Sequence, residues 1–140
     1  MTPFIVTILK QGCPTVDIDA HFLEVVQALT DAQSGTVVVV DKSQKVMGIL
    51  SERDIVRHLS RQKSIENSTA KHLMTTNIIS ADTNVTSSGL MELMVRNKIR
   101  HVPIINGDEL LGLVSITDVI TRLLDKQLKE TELMKEWIHS

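Results

Sequence analysis

The chain has 140 residues, enough for one compact domain or two small intertwined ones. Hydrophobic residues make up 42% and charged residues 23%, with a formal net charge of -2, so bulk electrostatics favour neither a nucleic-acid nor a membrane-surface partner. The single cysteine, Cys13, excludes an internal disulfide and suits a reducing compartment.

The aromatics are Phe4, Phe22 and Trp137, too few for a base-stacking platform, so the core must come from Val, Ile, Leu and Met. Residues 1–6 lack the basic stretch and small-residue cleavage site of a secretory signal. The longest unbroken apolar run, 37–40, is far too short to cross a bilayer. The expectation is a soluble, cytoplasmic protein.

In chain order, a short extended piece at 15–18 leads to a helix whose apolar residues are Phe22, Val25, Val26 and Leu29, at i, i+3, i+4, i+7 spacing. A β-branched strand at 37–40, a polar turn at 41–45 and a second strand at 46–50 follow, with a helix starting at Glu52. The segment 60–76 is polar and helix-compatible. The pattern then restarts: an extended piece at 78–81, a helix carrying Leu90, Met91, Met94 and Val95, strands at 102–105 and 110–114, and a helix from Ile116. That last helix continues through Leu124, Leu128, Leu133, Met134, Trp137 and Ile138, an apolar series that needs a covering surface.

The second half restates the first. Val46-Met47-Gly48-Ile49-Leu50-Ser51-Glu52-Arg53-Asp54-Ile55-Val56 lies over Leu110-Leu111-Gly112-Leu113-Val114-Ser115-Ile116-Thr117-Asp118-Val119-Ile120. Gly, Ser and Asp coincide, and Leu59 and Leu123 continue the match. With the register moved by one, 37–40 falls on Val102-Pro103-Ile104-Ile105 and Asp17 on Asp82, the slip sitting in a turn where length changes are tolerated. The expected fold is α/β (α+β): two β-α-β-β-α units packed sheet to sheet with pseudo-twofold symmetry, plus a long C-terminal helix. The expected boundaries are 7–62 for unit 1, 63–76 for the linker, 77–124 for unit 2 and 125–140 for the helical extension.

The sharpest repeated feature is the strand–turn–helix corner Gly-x-x-Ser-x-x-Asp at 48–54 and 112–118. Ser followed three residues later by an acid is first of all a capping signature, with Ser51 and Ser115 on free helix N–H groups and the acids favoured by the helix dipole. The same corner puts free N–H groups at a strand's carboxyl end, a ready anion site. A carboxylate there can accept from both hydroxyls of a ribose, and Arg53 and Thr117, each one residue before the Asp, can reach phosphate oxygens.

This duplicated corner after a Val-rich strand, with Arg100-His101-Val102-Pro103-Ile104-Ile105 in the second copy, resembles the cystathionine β-synthase (CBS) domain family, as one tandem pair (a Bateman module) over roughly 7–124. The resemblance implies two clefts between the units that take adenosine compounds: AMP, ADP, ATP, NAD(H) or S-adenosylmethionine. Carried over by position, one cleft uses Leu50, Ser51, Arg53 and Asp54, faced by Asn77, Ile78, His101 and Pro103. The other uses Val114, Ser115, Thr117 and Asp118, faced by Gly12, Cys13, Thr36 and Val38. Because the first unit has Gly35-Thr36 where the second has Arg100-His101, the Asp118 cleft is expected to lack a cation and the Asp54 cleft to suit phosphate better.

Neither Gly-x-Gly-x-x-Gly nor a Gly-Lys-[Ser/Thr] loop is present. His21, His58, His72, His101 and His139 have no metal-ligand spacing, so no metal and no catalytic cofactor is expected. Cys13 has no identifiable base and reads as a small half-buried residue, while Asp17, Asp19 and Asp82 read as helix starters. The functional expectation is a regulatory sensor, not an enzyme: a homodimer with the terminal helix at an interface, signalling to a separate effector protein. Its rival is a ligand-free interaction or oligomerisation module whose corners are only caps. Slow nucleotide hydrolysis stands third, for want of a base near the phosphates.

Overall fold

The computed structural model describes residues 1–61 and 64–139. The expected junction between unit 1 and the linker, at 62 and 63, lies outside the described residues, as does the last residue of the extension. The elements run α1 (Pro3–Leu9), β1 (Thr15–Asp17), α2 (Phe22–Asp31), β2 (Thr36–Val40), β3 (Val46–Ser51), α3 (Glu52–Arg61), α4 (Ala70–Leu73), α5 (Ser87–Asn97), β4 (His101–Asn106), β5 (Glu109–Ser115) and α6 (Ile116–His139). Both second helices start where the sequence placed them.

In unit 1, β1 pairs parallel with β2, and β2 antiparallel with β3. In unit 2, β4 and β5 form an antiparallel pair, and the expected strand at 78–81 shrinks to a single bridge between Ala81 and Ile104. Proline accounts for the difference. The Val38 amide donates to the Pro14 carbonyl in unit 1. Pro103, at the equivalent place, has no N–H to give, so the ladder stops one bond early.

Strand alternation divides the interior. Val37 and Val39 of β2 join Val25, Leu29 and Leu50 in the core of unit 1, while Val38 and Val40 turn the other way onto Leu113 of β5. Val102, Ile104 and Val114 join Leu90, Met94 and Val119 in the core of unit 2. The two sheets therefore pack face to face through a small cluster of their own. Val95, expected in the stripe of α5, is 68% exposed; it lies one residue beyond Met94 and turns about 100° off the buried face.

Two helices close the units crosswise. α1, absent from the expected elements, buries Phe4, Ile5 and Ile8 in the core of unit 2. Its signal was Thr2-Pro3: Thr2 caps the Ile5 amide and Pro3 occupies the first helical position, where a missing N–H costs nothing. α4, inside the segment read as a polar linker, buries Ala70 and Leu73 in the core of unit 1. Ile5 and Ile8 stand 65 residues before Ala70 and Leu73, the same offset as Asp17 to Asp82, so these helices belong to the repeat. Each unit is finished by the segment that leads into the other.

Asp17 and Asp82 do not begin helices. Each closes a short turn, accepting the amide two residues on, from Asp19 and Asn84; the helix caps are His21 and Thr86. Asp19 is exposed in that turn.

Candidate functional site: two clefts sharing a wall

Each Gly-x-x-Ser-x-x-Asp segment forms the strand-to-helix corner read from the sequence. At the first, Asp54 is 7% exposed and fully engaged. Its Oδ2 accepts the Ser51 amide at 2.8 Å and the Ser51 hydroxyl at 3.2 Å. Its Oδ1 accepts the Thr75 hydroxyl at 3.0 Å and faces the Arg57 guanidinium at 3.5 Å. At the second, Asp118 Oδ2 accepts the Ser115 amide and hydroxyl, both at 2.9 Å, and the Ser115 hydroxyl also accepts the Asp118 amide at 3.1 Å. Asp118 is half-buried and lines its cleft, and its Oδ1 has no protein partner among the described residues.

A cleft opens beside each corner. The one at Asp54 encloses about 530 Å³ and the one at Asp118 about 920 Å³, both within the ~300–1,000 Å³ usual for small-molecule sites. Ser51, Arg53, Asp54, Asn77 and His101 line the first, and Gly12, Cys13, Ser115, Thr117 and Asp118 line the second, as the sequence proposed.

The remaining proposed residues lie elsewhere. Leu50 and Val114 are completely buried in the cores of their own units; the strand residues that face the clefts are Ile49 and Leu113, one position earlier. Ile78 gives way to Ile79 in the same manner. A one-residue shift reverses the face that a side chain occupies in extended chain. Val38 is buried between the sheets, and Pro103, paired with Leu113, is buried as well. Thr36 lines the Asp54 cleft, not the Asp118 cleft.

Thr36 and His101 occupy equivalent positions in the two copies, and their side chains meet, Oγ1 to Nδ1, at 3.3 Å. Equivalent residues touch only at the axis that relates their copies. His101 therefore lines both clefts, and so does Arg100, whose carbonyl accepts the Ile116 amide and fixes it at the start of α6. The expectation that the Asp118 cleft lacks a cation is corrected by this shared wall. Burial lowers the His101 pKa below the ordinary imidazole value, with nearby Asp118 opposing and Arg100 reinforcing that shift.

Cys13 is half-buried and burial pushes its thiol up to about 11, so it stays protonated near neutral pH and is no ready nucleophile. Among the described residues no cluster of His, Cys, Asp and Glu is arranged to hold a metal ion, and no helix is long and apolar enough to cross a membrane. Residues outside the two sets proposed from the sequence also line the clefts: Arg57, Thr75, Lys98 and Arg100 at Asp54, and Asp31 and Arg100 at Asp118. A position-by-position subtraction of the two copies was the available signal, since these are places where the copies differ in charge.

The sequence matches the CBS domain family twice, over residues 5–61 and 70–125. The chain belongs to the CBS domain family. An uncharacterised 17.7 kDa protein of Acidianus ambivalens is 36% identical over 105 residues, 73% of this chain and 62% of the relative. The chain spans 38% of a related 33.4 kDa protein of Thermofilum pendens and 61% of a mitochondrial CBS protein of Arabidopsis thaliana. Among solved structures, a CBS-domain protein of Agrobacterium tumefaciens superposes with a TM-score of 0.74 at 32% identity, over 81% of this chain and 88% of that one. A CBS-domain protein of Pyrobaculum aerophilum, solved in complex with AMP, superposes with a TM-score of 0.68 at 26% identity, over 76% of this chain and 82% of that one.

Proposed function

We propose that this CBS pair is a regulatory module, without catalysis of its own, that binds adenosine compounds (AMP, ADP, ATP or NAD(H)) in its two clefts and presents the result to a separate cytoplasmic protein. The observation that carries the reading is the placement of both clefts at a strand end and a helix N-terminus, each walled by the opposite unit and both meeting at the Thr36–His101 contact. A ligand there touches both units, so it favours whichever mutual arrangement it fits best and shifts the population a partner sees. The AMP held by the Pyrobaculum aerophilum relative supports adenosine as the ligand class.

Arg53 and Thr117 are assigned to phosphate, and the corner carboxylates to ribose. Asp118 meets the second role with its open oxygen. Asp54 reaches a ribose only by exchanging the Thr75 or Arg57 contact for it. Unit boundaries near 61 and 70 and a homodimer complete the proposal, with a second copy covering Leu124, Leu128 and Met134 on α6, each more than half exposed here.

One observation favours the rival reading of a ligand-free interaction module: both carboxylates already satisfy helix starts. Calorimetric titration of ATP, AMP and NADH into the native chain, Asp54→Asn and Asp118→Asn separates the two. Binding that weakens at least tenfold in one variant or the other supports the sensor. Absence of binding, with no thermal stabilisation by any adenosine compound, leaves the interaction module, because a ligand selective for the folded state must stabilise it.

A further inference from the structure

The two clefts descend from one duplicated plan, yet their charge differs. Arg53, Arg57, Lys98 and Arg100 line the Asp54 cleft against the carboxylates of Glu52 and Asp54. The positions that match those four cations in the other copy are Thr117, Thr121, Gln33 and Gly35. No matched position on that side supplies a cation. Its one arginine, Arg100, comes from the shared wall, and it lines that cleft together with Asp31 and Asp118.

Lys98 shows what this arrangement costs. It ends α5 in the left-handed conformation, φ 54° and ψ 43°, with its amide on the Met94 and Val95 carbonyls. Helices commonly place glycine at such an end, because a side chain there is strained by roughly 1 kcal/mol. A lysine kept at that position, where it lines the cleft with Arg100, carries a positive charge there at a loss of local stability, the pattern expected where strain serves a site.

We propose that the clefts divide adenosine ligands by tail charge: the Asp54 cleft takes a nucleoside di- or triphosphate, and the Asp118 cleft takes an adenosine compound with little or no negative charge. This rests on the adenosine reading above and adds a selectivity to it. Four flexible or forked cations, two from α3 and two from the α5–β4 loop, suit a chain of phosphates, which spreads several negative charges over a longer reach than one phosphate does. In the Asp118 cleft a polyphosphate would lie against two carboxylates with a single full cation to offset them.

The test is calorimetry with ATP and adenosine as probes, on the native chain, on Arg53→Thr with Lys98→Gln (the residues of the other copy), and on Lys98→Gly. The native chain saturated with ATP is expected to bind one further adenosine. The double variant is expected to lose at least tenfold in ATP affinity and to show a shallower salt dependence of what remains, since fewer charges are neutralised. Lys98→Gly is expected to weaken ATP while raising resistance to urea, a split that a purely structural lysine does not produce. ATP affinity unchanged in the double variant, or ATP and adenosine excluding one another on the native chain, overturns the division by charge and leaves adenosine binding standing. If neither probe binds the native chain, both proposals fall.

Discussion

The Asp54 and Asp118 corners share a Gly, a Ser and an Asp at the same spacing, and they are built to different tolerances. Asp54 is buried and held by Ser51, Thr75 and Arg57, so it ties α3 to the segment after α4. Asp118 is half-buried and bonds only within its own corner among the described residues. The glycines differ likewise. A Cβ on Gly48 would stand 2.6 Å from the Met74 sulfur and 2.8 Å from the Thr75 carbonyl oxygen, whereas one on Gly112 would meet Leu9 and Ile8 no closer than 3.4 Å. Duplication preserved the local geometry, and the neighbours then decided how much each copy bears.

The largest effect that tests this contrast is at the aspartates. Asp54→Ala removes a buried carboxylate that accepts from the half-buried Ser51 and the exposed Thr75, and is expected to destabilise the fold by about 2 kcal/mol. Asp118→Ala removes a cap at a half-open corner and should cost about 1 kcal/mol. Urea unfolding of both variants checks the ratio, and equal losses would break the comparison.

The glycines come next. Gly48→Ala must displace backbone at Thr75 and is expected to cost about 2 kcal/mol, while Gly112→Ala makes only ordinary contacts and should stay within about 0.5 kcal/mol of the native chain. A Gly112 variant as damaged as the Gly48 variant would contradict the packing described for α1.

The smallest effect concerns the shared wall. His101 has a pKa below the ordinary value of about 6.5, chiefly through burial, with Asp118 opposing that shift and Arg100 adding to it. The unfolded chain then binds more protons than the folded one just below that pH, so the stability from neutral His101 is complete above about 6.5 and is lost as the pH falls through the folded value. The urea midpoint should fall between pH 7.5 and pH 5.5 by more in the native chain than in His101→Gln. A phosphate ligand reverses the sign, because a protonated His101 adds a cation to both clefts, so nucleotide affinity should rise over the same interval.

The sequence by itself determines the duplication, the two long helices and the antiparallel strand pair of each unit, the starts of α3 and α6 and the Ser-x-x-Asp corners. These follow from short-range causes: apolar period, turn residues and capping chemistry act within a few neighbours. Five residues that it proposes for each cleft line that cleft, since cap positions and loop residues have their orientation set locally. In place of Leu50, Val114 and Ile78 the adjacent Ile49, Leu113 and Ile79 line the clefts, because the face a strand residue takes depends on which sheet covers it. Only the tertiary structure decides that α1 and α4 close each other's units, that Thr36 meets His101 across the axis, and that Arg100 serves both clefts. Thr36 stands 65 positions from His101, and the Ala70 amide reaches the Ala20 carbonyl 50 positions back, where no periodicity reaches and packing chooses the neighbours.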